Sequence, residues 1–290
     1  MKRWMIIALA VLLVVSLGLA FWHASGPREP VYQGKPLSSW LIAAEIRLSF
    51  GGSDYLHVPC DDYRGDERME NRNAEEAVRQ AGTNAIPTLL RMLRARDSAW
   101  KVRLMNLVER QHIVKIPYTP AEERNWAGLH GFEVLGASAE SAVPDLIEIG
   151  NANIFRSSRL TPSFGGWDPS RCALDCPIYA LAFIGPSAKE AVPSLLDWAT
   201  NAGYNVRALA MKALGEIHAE PDRVVPVLIN LVRDGQGEAA EALAKFGPDA
   251  KLAVPALIEL LNGESWHAKP YATNALKRID PEAAAKAGVK

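Results

Sequence analysis

Residues 242–261 read ALAKFGPDAKLAVPALIELL. A helical end, Ala242-Leu243-Ala244-Lys245-Phe246, runs into Gly247 and a short polar turn. Ala253-Val254-Pro255 and a leucine-rich run follow. Glycine takes positive φ without a Cβ clash, so Gly247 is expected in the left-handed conformation that closes a helix. Proline loses nothing in the first turn of a helix, where its missing N–H has no partner, so Pro255 opens the next one. Val254, Leu257, Ile258 and Leu261 fall at i, i+3, i+4 and i+7, one apolar stripe. The stretch predicts helix, tight turn, helix.

The arrangement recurs along the chain. Its marker pairs are Gly82 with Pro87, Gly136 with Pro144, Gly185 with Pro193, Gly215 with Pro226, and Gly247 with Pro255; a further copy runs from Tyr271 to Pro281. One helix pair cannot bury its own apolar face, but stacked pairs can. Small residues such as Ala210 and Ala213 let neighbouring helices cross closely. Sustained period-2 alternation is missing, so strands are not expected. The fold class read from this pattern is all-α, an α-solenoid of stacked antiparallel helix pairs over residues 74–290.

The pattern resembles HEAT repeats, in the short HEAT-like form also found in phycobilisome lyase-type repeat proteins. Asn205-Val206-Arg207 followed by Ala210, Ala213, Leu214 and Gly215 is the best match to that family's helix; Lys101-Val102-Arg103 with Leu107 is a weaker one. The resemblance speaks for fold, because these are packing residues. The layout, in which Tyr32–Leu37 and Trp40-Leu41 precede the repeats, also resembles that of exported bacterial repeat proteins.

Spacing between the marker prolines is 57, 49, 33 and 29 residues. The longer gaps imply additions. The first holds an extra helix, Ser98–Gln111, with Trp100, Leu104, Leu107 and Val108 as its apolar set. After it, Thr119 reads as an N-cap with Pro120 at the first helical position. The second holds an insertion at 151–168 carrying Phe164 and Trp167, of the kind that lies on one face of a solenoid and often binds.

Outside the repeats the N-terminus is distinct. Lys2 and Arg3 precede nineteen uncharged residues, Trp4 to Trp22. At about 1.5 Å per residue such a helix spans roughly 28 Å, close to the hydrocarbon core of a bilayer. The flanking cations and tryptophans favour an exported remainder. Residues 1–25 thus read as a signal peptide or a single transmembrane anchor; uncleaved, residues 4–22 hold the chain in the cytoplasmic membrane facing the periplasm, and cleaved, the protein is periplasmic or secreted. Residues 26–73 read as a Gly/Pro linker to Pro36, a capping helix from Leu37 to Leu48 and a solvated charged loop. Cys60 is sterically open to pairing with either Cys172 or Cys176, and three buried thiols are the alternative.

Composition narrows the function. With 32 basic against 33 acidic residues the net charge is −1, which disfavours nucleic acid as a partner. No hydrolase elbow, zinc-protease, P-loop or dinucleotide motif is present, and no two histidines lie at i, i+4. No catalytic residue, cofactor or metal is assigned. Arg91, Arg94, Arg96, Lys101 and Arg103 form the densest basic cluster and read as a solvated helix end. The leading expectation is a non-enzymatic scaffold that binds a protein or peptide on the solenoid surface. Aromatic and arginine side chains dominate binding hot spots, so Arg103, Trp126, Phe164, Trp167 and Arg207 are the candidate contacts. The alternative is a HEAT-fold enzyme or bilin lyase-type factor, which would carry bound pigment.

Overall fold

The computed structural model describes residues 29–44, 65–111, 118–157, 169–263 and 266–289. The apolar run 4–22, Cys60, Phe164 and Trp167 lie outside these residues. Among the described residues no helix is long and apolar enough to cross a membrane.

The described chain is predominantly helical. Its helices are α1 (Leu37–Ala43), α2 (Gly65–Ala81), α3 (Ile86–Leu93), α4 (Ala99–Gln111), α5 (Ala121–Leu135), α6 (Val143–Ser157), α7 (Pro169–Ile184), α8 (Val192–Asn201), α9 (Tyr204–Ile217), α10 (Pro221–Arg233), α11 (Gly237–Phe246), α12 (Val254–Asn262), α13 (Lys269–Ile279) and α14 (Pro281–Lys286). Helices α5, α7, α9, α11 and α13 each pack against the next in one row. Helices α6, α8, α10 and α12 each pack against the member of that row that follows them in sequence. Ala210 and Ala213 are fully buried in α9, which packs against α7, α8 and α11. Short side chains at such positions leave room for a neighbouring helix.

Three of the turns share one geometry. Gly136–Ala142, Gly185–Ala191 and Gly247–Ala253 are seven-residue 3-10 segments with the pattern G-x-x-A-x-x-A, each followed by Val-Pro. Each segment is kinked at its first alanine, where Ala139, Ala188 and Ala250 leave helical geometry with ψ of 15°, 23° and 19°. Ala139 and Ala142, Ala188 and Ala191, and Ala250 and Ala253 are all fully buried. Gly136 and Gly247 have φ/ψ of 49/−131° and 53/−131°. The φ is positive as expected, but the region is one open to glycine alone rather than the left-handed helical cap.

The fourth copy departs from this pattern and corrects two assignments. Gly215 does not end a helix; it lies inside α9, where an added Cβ would stand 3.0 Å from the Ala242 Cα of α11. Its role is close approach between neighbouring helices. The turn position falls on His218, eight residues before Pro226 as Gly136, Gly185 and Gly247 are before their prolines. A histidine is excluded from the glycine-only region, so His218 takes φ 50°, ψ 41°, the left-handed helical conformation, and Glu220 follows at φ 51°. The 3-10 segment is lost and α10 begins early, at Pro221. Pro226, expected at a helix start, therefore lies inside α10, where it has no N–H to return to the carbonyl of Asp222.

Other expectations also change. The predicted linker contains a two-stranded hairpin, β1 (Val31–Tyr32) and β2 (Lys35–Pro36), paired Val31 to Pro36 and Tyr32 to Lys35. Its turn residues Gln33 and Gly34 have φ 48° and 78°, the double positive φ of a hairpin turn whose twist suits its strands. Trp40 fixes the hairpin to α1: its indole N–H donates to the Tyr32 carbonyl at 2.9 Å, with Lys35 Nζ over its ring at 4.6 Å. Thr119 does not cap α5. The Asp97 carboxylate instead accepts the Ala121 N–H at 2.5 Å from 24 residues upstream. The start of the 151–168 insertion is not loop, because α6 runs on to Ser157. Asn151 Oδ1 accepts the Trp198 indole N–H at 3.0 Å, and the buried Asn153 accepts from Arg96 at 2.6 Å. The stripe of α12 is shifted: Ala256, Leu257 and Leu260 are its buried set, with Val254, Ile258 and Leu261 only partly covered.

Candidate functional site

The row α5, α7, α9, α11 and α13 presents the starts of its helices along one edge. Trp126, Asp175, Arg207, Glu238 and Tyr271 stand nine to eleven residues before the residue that closes their respective helices. Side-by-side packing with a common closing end places them at one level across the row. Trp126 and Arg207, two of the candidate contacts, stand at this level, and both are half-buried.

The strip is best defined at α9, α11 and α13. Tyr204 opens α9 and is 62% exposed, yet its hydroxyl donates to Glu238 Oε1 on α11 at 3.2 Å. The Glu238 charge, partial burial and that hydrogen bond raise the Tyr204 pKa, and Tyr271 adds to the rise; the Arg207 guanidinium acts in the opposite direction. The phenol is thus held as a neutral donor. Tyr271 packs against α11 at Gly237, where an added Cβ would come 2.6 Å from its ring. The glycine makes room for the aromatic. Arg207 Nε is buried with no hydrogen-bond partner among the described residues. Trp266, 71% exposed, precedes α13. Exposed aromatics flanking a fixed arginine and carboxylate can grip an extended polypeptide through apolar contact and paired polar groups.

The other candidates do not join this strip. Arg103 is exposed on α4, outside the row. Most of the basic cluster around it is paired: Arg94 reaches Asp145 at 2.5 Å, Arg96 reaches Asn153, and Lys101 reaches Asp97 at 2.9 Å. The predicted apolar set of α4 is not a buried set. Trp100, Leu104 and Leu107 are 69%, 46% and 54% exposed, and Met105 is the residue turned inward. Tyr204, Glu238 and Tyr271 were absent from the sequence-level candidates. The available signal was the common distance of Glu238 and Tyr271 from their closing residues.

At the opposite ends of the helices, the 3-10 turns form an open groove of about 460 Å³ lined by Thr83, Ser138, Glu140, Ser141, Ser187 and Glu190. Among the described residues no three His, Cys, Asp or Glu side chains are grouped to hold a metal ion. Compared with protein-family models, characterised proteins and solved structures, the chain matches none.

Proposed function

We propose that the chain is an exported, non-enzymatic scaffold with HEAT-like solenoid architecture that binds a protein or peptide along the α5–α13 row. The arrangement of Tyr204, Arg207, Glu238 and Tyr271 carries this reading. Three successive helices contribute to one surface, as stacked repeats do when they bind an extended partner. Recurrent G-x-x-A-x-x-A-Val-Pro turns and nearest-neighbour packing support the architecture. Export rests on the charged start and the apolar run 4–22.

The test is co-purification from native envelope with the full chain and with Tyr204→Ala and Arg207→Ala. A specific partner should weaken by roughly 10- to 30-fold per substitution, as expected when an interface anchor is lost. Circular dichroism should remain unchanged and any loss of melting temperature should be small, since Tyr204 is exposed and Arg207 only half-buried. An identical set of partners for wild type and both variants sinks the assignment. N-terminal sequencing of the mature chain decides between release and retention: a start near Phe21 or Ser25 means the leader is removed.

A further inference from the structure

Helix α4 turns Met105 inward but leaves its other large apolar side chains largely open. Trp100, Leu104 and Leu107 lie at i, i+4 and i+7, so they share one face, and that face is open. Arg103 and Arg110, both exposed, run along one edge of the stripe, and Lys101 stands at the other. The helix carries three cations against Glu109 alone. Its charged positions are mostly basic, its apolar face contains a tryptophan and leucines, and it is too short to span a bilayer. That combination suits a helix lying in the plane of an anionic membrane surface.

The base of the helix is rigid. Asp97, one turn before Lys101, accepts Lys101 Nζ at 2.9 Å, Arg124 Nη2 at 3.2 Å and the Ala121 N–H at 2.5 Å. Lys101 also sits 4.8 Å from the Tyr118 ring. Asn125 donates to the carbonyls of Met92 and Leu93 at 2.7 and 3.0 Å, closing α3 just upstream. The start of the excursion is therefore tied to α5, and the apolar face is displayed from that base.

The N-terminal chain enters close to this base. Glu29 accepts the Ser38 N–H and lies 3.8 Å from Arg91 on α3, three residues before the segment that leads into α4. Only residues 23–28 separate Glu29 from the apolar run, a reach of at most about 25 Å. A chain tethered through residues 4–22 brings α4 to the same bilayer.

We propose that α4 docks on an anionic lipid surface through Trp100, Leu104 and Leu107, with Arg103 and Arg110 at the headgroups. The proposal rests on the export reading of the N-terminus and adds a second, peripheral contact to it. The experiment uses the full chain in vesicles of phosphatidylcholine alone or with one third phosphatidylglycerol, with brominated acyl chains as a quencher. Trp100 fluorescence is taken as the difference between wild type and Trp100→Phe. Quenching by bromolipid is expected in the phosphatidylglycerol vesicles and should be weaker in pure phosphatidylcholine. Leu104→Glu with Leu107→Glu should abolish it, and each of Arg103→Gln and Arg110→Gln should lower the docked-to-undocked ratio about fivefold. Carbonate extraction of the same samples reports the tether independently. Retention without Trp100 quenching overturns the docking and leaves the tether; release with Trp100 quenching keeps the docking and overturns the tether. A Trp100 signal that ignores bromolipid but changes with protein density assigns the face to a second copy and also overturns the proposal. So does one that is shielded from both water-soluble and lipid quenchers.

Discussion

At the scale of single residues, a position's backbone geometry decides which side chain it can hold. His218 stands where three other turns have glycine, and its ring stacks on Phe246 at 4.7 Å with Nε2 4.0 Å from Asp249 Oδ2. The left-handed conformation costs a Cβ-bearing residue about 1 kcal/mol. His218→Ala and His218→Gly both remove the ring contacts, but only alanine retains the backbone cost. The glycine variant should be the more stable of the two by about 1 kcal/mol in chemical denaturation. Equal midpoints would mean that the turn relaxes without strain. This position also shows how far the sequence can be read. Gly215 is the glycine nearest the expected turn, whereas the count of eight residues back from Pro226 falls on a histidine, which enters positive φ far less readily than glycine.

At the scale of elements, α4 and α5 depend on one carboxylate. Burial by itself would raise the Asp97 pKa, but hydrogen bonds from Tyr118, Lys101 and the Ala121 N–H, with the Lys101 charge, more than offset it and hold the group below its ordinary value. A carboxyl lowered in the folded state contributes stability above its unfolded pKa and loses it as pH falls through the folded value. Asp97→Asn should cost about 2–3 kcal/mol at neutral pH, the range for hydrogen bonds to a charged group. The gap between wild type and variant should narrow below about pH 4 as Asp97 protonates. Chemical denaturation across pH checks both; a gap constant to pH 2 would show that the charge is not what matters. Burial, followed by the hydrogen bond and charge of Asp97, pushes the Tyr118 phenol up to about 12. In Asp97→Asn the ultraviolet titration of Tyr118 should return toward the ordinary tyrosine value. The helices themselves were legible in the sequence, since α3, α8 and α12 begin at or next to the marker prolines. The cap of α5 was not, because its acceptor is 24 residues away and local cap rules look only at the neighbouring residue.

At the scale of the whole molecule, the proposed solenoid has no single centre. Stability then comes from each helix pair and its contacts with the next, so the ends should open before the middle. Native-state hydrogen exchange is expected to be slowest in α7 and α9, each packed between neighbours, and faster in α13 and α14 at the C-terminal end. Uniform protection from α5 through α14 would indicate one cooperative core instead. The sequence by itself determined that the chain is helical, where most helices turn, and which side chains share a face, because helical period and Gly/Pro geometry are local. Only the tertiary structure decided what lies opposite each face. The alanines of the 3-10 turns became fully buried, while Trp100, Leu104 and Leu107, on an equally regular stripe, remained open. It also brought Tyr204 to Glu238 across 34 residues and Asp97 to Ala121 across 24. A periodic pattern fixes the direction of side chains along one helix, but the neighbour that covers them is set by packing between distant segments.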